Sequence, residues 1–141
     1  MEKAVLLYNS KTGTTAKYAG EIGNFIEEKD VEVQVSSIQD YHEEMLDEAD
    51  YVLLGCWTNG LMVILQHPEV VWKKFAAKLP SMSNAKLGFF TTYKILTGSM
   101  FRKMNKELDG KFANPSLELK SRDGTLSRQD EAALDTFVMG V

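Results

Sequence analysis

Apolar residues run unbroken from Ala4 to Tyr8 and again from Tyr51 to Cys56, the pattern of strands buried on both faces of a parallel sheet. Between Thr14 and Glu28 the period changes. Ala16, Ala19, Ile22, Phe25 and Ile26 recur at three- and four-residue steps, which puts them on one helical face. Val31, Val33 and Val35 then alternate with Glu32, Gln34 and Ser36, predicting a strand with one wetter face at a sheet edge. His42 to Glu48 reads as a short acidic helix and Trp57 to Pro68 as an irregular stretch. Val71, Trp72, Phe75, Ala76 and Leu79 form the stripe of a helix that Pro80 ends. Leu87 to Thr91 reads as a fourth strand, and Phe101, Met104 and Leu108 as a helix stopping near Gly110. Leu117 to Leu119 is a short fifth strand, and Ser127 with Asp130 three residues on is a capping-box start for a last helix carrying Leu134, Phe137 and Val138.

The predicted order is βαβαβαβαβα. Strands alternating with helices imply an α/β protein with a parallel sheet covered on both faces, because parallel neighbours need right-handed crossovers. No repeat, low-complexity tract or linker divides the sequence, so residues 1–141 are expected to form one doubly wound domain.

Composition narrows the function classes. With 44% apolar residues, a chain of 141 can bury a core unaided. A net charge of −4 argues against nucleic acid or an anionic membrane as the main partner. The apolar start is too short for a signal peptide, and no run approaches the ~18 residues of a membrane span. Cys56 is the single cysteine, which rules out an intrachain disulfide and suggests a reducing compartment, the cytoplasm. It has no histidine near it, and no metal-ligand spacing occurs, so Cys56 reads as a packed residue and no metal is expected.

In an open α/β sheet, ligands sit beyond the carboxyl ends of the strands, where the strand order reverses. The loops after the first, third and fourth strands qualify. The first is Ser10-Lys11-Thr12-Gly13-Thr14-Thr15, hydroxyl residues around a glycine at the start of a helix. Helix-end N–H groups and the helix dipole favour an anion there, hydroxyls add donors, and glycine admits close approach. The simpler alternative is that Thr14 caps the helix and the other hydroxyls line a polar turn.

This run, directly after the first strand, resembles the phosphate signature of the flavodoxin family, Ser/Thr-x-Thr-Gly-x-Thr. Gly55-Cys56-Trp57-Thr58-Asn59-Gly60 resembles the family segment that forms one wall of the flavin ring site. The likeness spans nearly the whole chain and is of the short-chain kind, implying a five-stranded sheet of order 2-1-3-4-5, the cofactor flavin mononucleotide (FMN) and an electron-carrying role. It further implies that Ser10, Thr12, Thr14 and Thr15, with backbone N–H groups around Gly13, hold the FMN phosphate, and that Lys11 fills the variable slot. Gly60 falls where the family has a glycine whose carbonyl swings to meet the reduced flavin N5. The third loop, Thr92 to Ser99, would offer backbone N–H donors to the pyrimidine end, with Thr91, Thr92, Tyr93 and Gly98 among the cofactor-binding residues and Tyr93 or Trp57 a stacking candidate.

Three positions depart from the family pattern: Asn59 stands where a Trp or Met is common, Leu61-Met62 replaces acidic residues, and the loop after the fourth strand is short and contains Lys94. Partners are expected to be redox proteins, and the chain a monomer. The Glu43-Glu44 and Asp47-Glu48 cluster reads first as the wet face of a helix and second as an attractor for a basic partner. A phosphorelay receiver would need acidic residues where Asn9-Ser10 and Gly55-Cys56 stand. A small NAD(P)H or quinone reductase, and an interaction module that has lost its flavin, are the alternatives.

Overall fold

The computed structural model describes residues 1–58, 68–94 and 97–140. Five strands, β1 (Lys3–Asn9), β2 (Glu32–Ser37), β3 (Tyr51–Trp57), β4 (Lys86–Thr92) and β5 (Leu117–Ser121), form one sheet of order β2-β1-β3-β4-β5. Every neighbouring pair is parallel. The helices are α1 (Thr14–Glu27), α2 (Val70–Lys78), α3 (Met100–Glu107) and α4 (Arg128–Met139). The fold class and strand order expected from the sequence are therefore those observed. No described helix is long and apolar enough to cross a membrane.

The short acidic helix expected at His42 to Glu48 is a single 3-10 turn, Glu43–Leu46, and not an α-helix. Two 3-10 turns, Ile38–Asp40 and Glu43–Leu46, carry the chain from β2 to β3. Fixing the first helical turn is unfavourable and is recovered only by propagation, which so short a segment lacks. Burial of Ile38 and Leu46 anchors the turns instead.

Side chains alternate across the sheet and divide the core. Val5, Leu7, Val52, Leu54 and Phe89 face α2 and α3, packing with Trp72, Phe75, Met100 and Met104. Ala4, Leu6, Leu53 and Phe90 face α1 and α4, packing with Tyr18, Ile22, Leu134 and Phe137. The two edge strands show their position in their burial: β2 is mostly exposed or half-buried, and β5 alternates buried with exposed residues.

One chain of contacts joins the middle of the sheet to both helices of the second face. Gly55 and Phe90 are cross-strand partners, and a Cβ at Gly55 would overlap the Phe90 ring. Phe90 in turn meets Tyr18 of α1 edge-on, with centroids 6.1 Å apart. The Tyr18 hydroxyl donates to Asp130 Oδ2 at 2.8 Å, and Asp130 closes the capping box with Ser127 that begins α4. Burial, reinforced by the Asp130 carboxylate, pushes the Tyr18 pKa up, so the phenol remains a donor.

Two substitutions test this chain. Gly55→Ala forces the Phe90 ring aside in a close-packed interior and should cost about 1–3 kcal/mol of unfolding free energy. Tyr18→Phe deprives a buried carboxylate of a donor and should cost about 1.5–3 kcal/mol. Because the folded pKa of Tyr18 is raised, its contribution is fully present below the unfolded value near 10.0 and lost as pH rises above it. Urea midpoints at pH 7 measure both variants; an unchanged midpoint for Tyr18→Phe would show that the clamp stabilises nothing.

Candidate functional site

Since β1 and β3 are neighbours while β2 lies outside β1, the strand order reverses between them at the carboxyl edge. The loop Ser10 to Gly13 rises at this point into α1. Gly13 is the residue before the helix, with φ 93°, a left-handed conformation that glycine adopts without the ~1–2 kcal/mol penalty of a side chain. Thr14 is thus the first helical residue and not the cap. Capping falls to Ser10, whose Oγ accepts the Gly13 N–H at 3.0 Å and the Ala16 N–H at 3.3 Å. With both bonds accepted, the Ser10 hydroxyl still has a proton to donate.

The first turn of α1 consequently presents an anion-receiving face. The first helical bond is Lys17 N–H to Gly13 carbonyl, and among the described residues nothing accepts the N–H groups of Thr12, Thr14 or Thr15. Such groups need an external acceptor. The hydroxyls of Thr12 and Thr14 lie 3.4 Å apart, no acidic residue occupies the first turn, and Lys11 and Thr12 are exposed. Thr15 differs: it is buried and its Oγ1 lies 2.6 Å from that of Thr92, so its side chain fixes α1 to the end of β4.

The ends of β3 and β4 are joined by further hydroxyl bonds. Thr58 N–H donates to Thr92 carbonyl at 2.8 Å. Thr91 is fully buried and its hydroxyl reaches Cys56 carbonyl. With the Thr91 proton directed to a carbonyl, the Thr58 hydroxyl, 2.8 Å away, is left as the donor of that pair. Thr91 supports the site from beneath.

Trp57 is half-buried against the α2–α3 side of the core, with Lys11 Nζ 4.8 Å from its ring centroid. Tyr93 is half-buried, its N–H donates to Ser121 carbonyl, and Lys120 and Arg122 approach its ring at 6.0 and 5.5 Å. Gly98 has φ 51° in the turn before α3. Asn59, Gly60, Leu61 and Met62 lie outside the described residues.

Two supports escaped sequence reasoning. Asn9, buried at the end of β1, reaches Glu69 Oε1 at 3.2 Å and Cys56 Sγ at 3.8 Å, joining β1 to the start of α2. An amide directly after an apolar run was the available signal. The loop after β5 backs the first turn of α1: Lys17 Nζ reaches Asp123 carbonyl and Thr125 Oγ1. Gly124 packs so close that a Cβ there would fall 2.7 Å from Thr14 carbonyl oxygen.

A family model described as Flavodoxin matches residues 6–137. The chain belongs to the flavodoxin family. Flavodoxins bind FMN and transfer electrons to redox partner proteins. Among solved structures, the two-electron reduced flavodoxin of Megasphaera elsdenii superposes with a TM-score of 0.75 at 19% identity, covering 98% of this chain and 99% of that one. Oxidised Flavodoxin 1 of Bacillus cereus gives 0.70 at 22%, covering 99% of each. An archaeal flavodoxin gives 0.71 at 21%, covering 98% and 94%. No curated protein sequence matches.

In this flavodoxin Cys56 sits beneath the site, fully buried. Burial pushes its thiol up to about 12, against weaker lowering by the Glu69 backbone N–H and the Asn9 amide. At pH 8 about one molecule in ten thousand would hold the thiolate that reacts. Ellman's reagent should therefore label the native protein negligibly and the urea-unfolded chain once. Rapid labelling of the native state would place Cys56 at an open surface.

Proposed function

We propose that this chain carries electrons between redox partner proteins on a single FMN, whose phosphate is held by the loop Ser10 to Thr15. The observation that carries the reading is the group of Thr12, Thr14 and Thr15 N–H donors, unaccepted among the described residues and clustered at a helix start behind a left-handed glycine. Such donors with the positive end of the helix dipole suit a phosphate. Ser10 and Thr12 add hydroxyls, and Lys11 adds charge. In this reading the Thr58 hydroxyl accepts an N–H from the ring, and Trp57 and Tyr93 flank the same edge.

When bound, FMN supplies the redox chemistry through its isoalloxazine ring. The protein's part is positional. The Thr15–Thr92 bond fixes the phosphate loop relative to the end of β4, and the loop after β5 prevents the first turn of α1 from retreating.

FMN and riboflavin differ only in the phosphate, so comparing them isolates the loop. A charge-assisted hydrogen bond contributes roughly 1.5–3 kcal/mol, so Thr12→Ala should weaken FMN binding about tenfold or more and leave riboflavin binding unchanged. Flavin fluorescence quenching reads both affinities. Equal affinity of the unaltered protein for the two flavins would sink the assignment.

A further inference from the structure

Two helices on one face of the sheet are basic, although the β2–β3 connection packed on that face beside α2 is acidic, with Asp40, Glu43, Glu44, Asp47 and Glu48. Helices α2 and α3 pack side by side on one face and hold Lys73, Lys74, Lys78, Arg102, Lys103 and Lys106 against the single carboxylate Glu107. On the other face α1 and α4 hold two cations against five carboxylates. Over residues 69–111 there are nine lysines and arginines against three carboxylates, so a chain of net charge −4 contains a stretch of +6.

Helix stability accounts for Lys78 and Lys106, which stand in the last turns of α2 and α3, but not for Lys73, Arg102 and Lys103. Helix N-termini favour acidic residues and disfavour cations, yet apart from Glu69, the residue before α2, neither helix has an acidic residue at its start. Lys73 falls in the first turn of α2, and Arg102 and Lys103 in that of α3. By contrast Lys111 is where the dipole favours it, bonded to Ala76 and Ala77 carbonyls at the carboxyl end of α2. Both helices begin at the carboxyl edge of the sheet, so the misplaced cations lie beside the flavin loops. Lys11 and Lys94 extend the basic surface onto those loops. Among the described residues, Lys11, Lys74 and Lys94 have no carboxylate oxygen within 4 Å. A local rule broken repeatedly on one face marks a functional surface.

We propose that the α2–α3 face, continued by Lys11 and Lys94, is the docking surface for an acidic electron-transfer protein. The assignment rests on the flavin reading, since it makes this the face from which a partner approaches the cofactor. The acidic helices α1 and α4 turn away from such a partner and orient the encounter. Nucleic acid is disfavoured because the rest of the chain, with seven cations against seventeen carboxylates, repels a long polyanion.

The test has two arms. In the first, FMN-loaded protein is reduced and mixed with a one-electron oxidant: the ferricyanide trianion, which becomes ferrocyanide, or the tris(phenanthroline)cobalt(III) trication, which becomes cobalt(II). Raising ionic strength from about 10 mM to about 200 mM should slow the ferricyanide reaction by up to about tenfold and speed the cobalt reaction. The K74E/R102E double variant, with FMN content unchanged, should flatten or reverse the ferricyanide slope. The reverse slopes in the unaltered protein, or the same slope in the variant, would overturn the proposal.

The second arm needs no flavin chemistry. Amide shifts on adding a poly-glutamate peptide should map to α2 and α3, and a duplex DNA of equal charge should bind more weakly at physiological salt. Tighter DNA binding would overturn the protein-docking assignment. A chain that takes up no FMN but maps the peptide to α2 and α3 loses the flavin reading alone. A chain that binds FMN but does not map the peptide loses the docking surface alone.

Discussion

Parallel pairing of all five strands is the constraint from which the remainder follows. It sends every strand-to-helix connection out at one edge and every return at the other. Because β2 is added outside β1 before the chain crosses to β3, the loops after β1 and β3 diverge to opposite faces and open a crevice between them. Unlike residues far apart in sequence are thereby gathered: Ser10 and Thr12 from one loop, Thr58 from a second, and Thr92 and Tyr93 from a third. The Thr15–Thr92 bond spans 77 positions of sequence and sets the spacing of two of these loops.

The central strands were legible because burial on both faces leaves an unambiguous trace. Ala4 to Leu7 and Tyr51 to Leu54 are wholly enclosed, and their sequences are apolar at every position. The Ser127 and Asp130 capping box was legible for a different reason, being a local motif whose partners are three residues apart. The His42 to Glu48 segment showed a short helix but not its kind, because its pattern was too short to distinguish an α-helix from the 3-10 turn Glu43–Leu46 held by Leu46.

For the candidate site, the hydroxyl-rich loop Ser10 to Thr15 at the start of α1 was readable, but the division of labour among its residues was not. Ser10 acts as the helix cap and Thr15 as a tie to β4, because each finds its partner only once α1 lies across the sheet. Likewise the glycine at position 55 has no evident reason in sequence, since the ring that covers it comes from Phe90, 35 residues on. Gly124 is similar, its neighbour being a carbonyl of α1. Supports of this kind depend on long-range register, which no local pattern encodes.

The cations of α2 and α3 add a separate layer, one that the fold tolerates without requiring. It leaves the proposed phosphate loop as the point on which the functional account stands. The most direct measurement is the amide proton spectrum of isotope-labelled protein as FMN is added. The account predicts large downfield shifts for the N–H groups of Thr12, Thr14 and Thr15, as expected for amides that gain an anionic acceptor. Flavin bound with those three amides unmoved would contradict it.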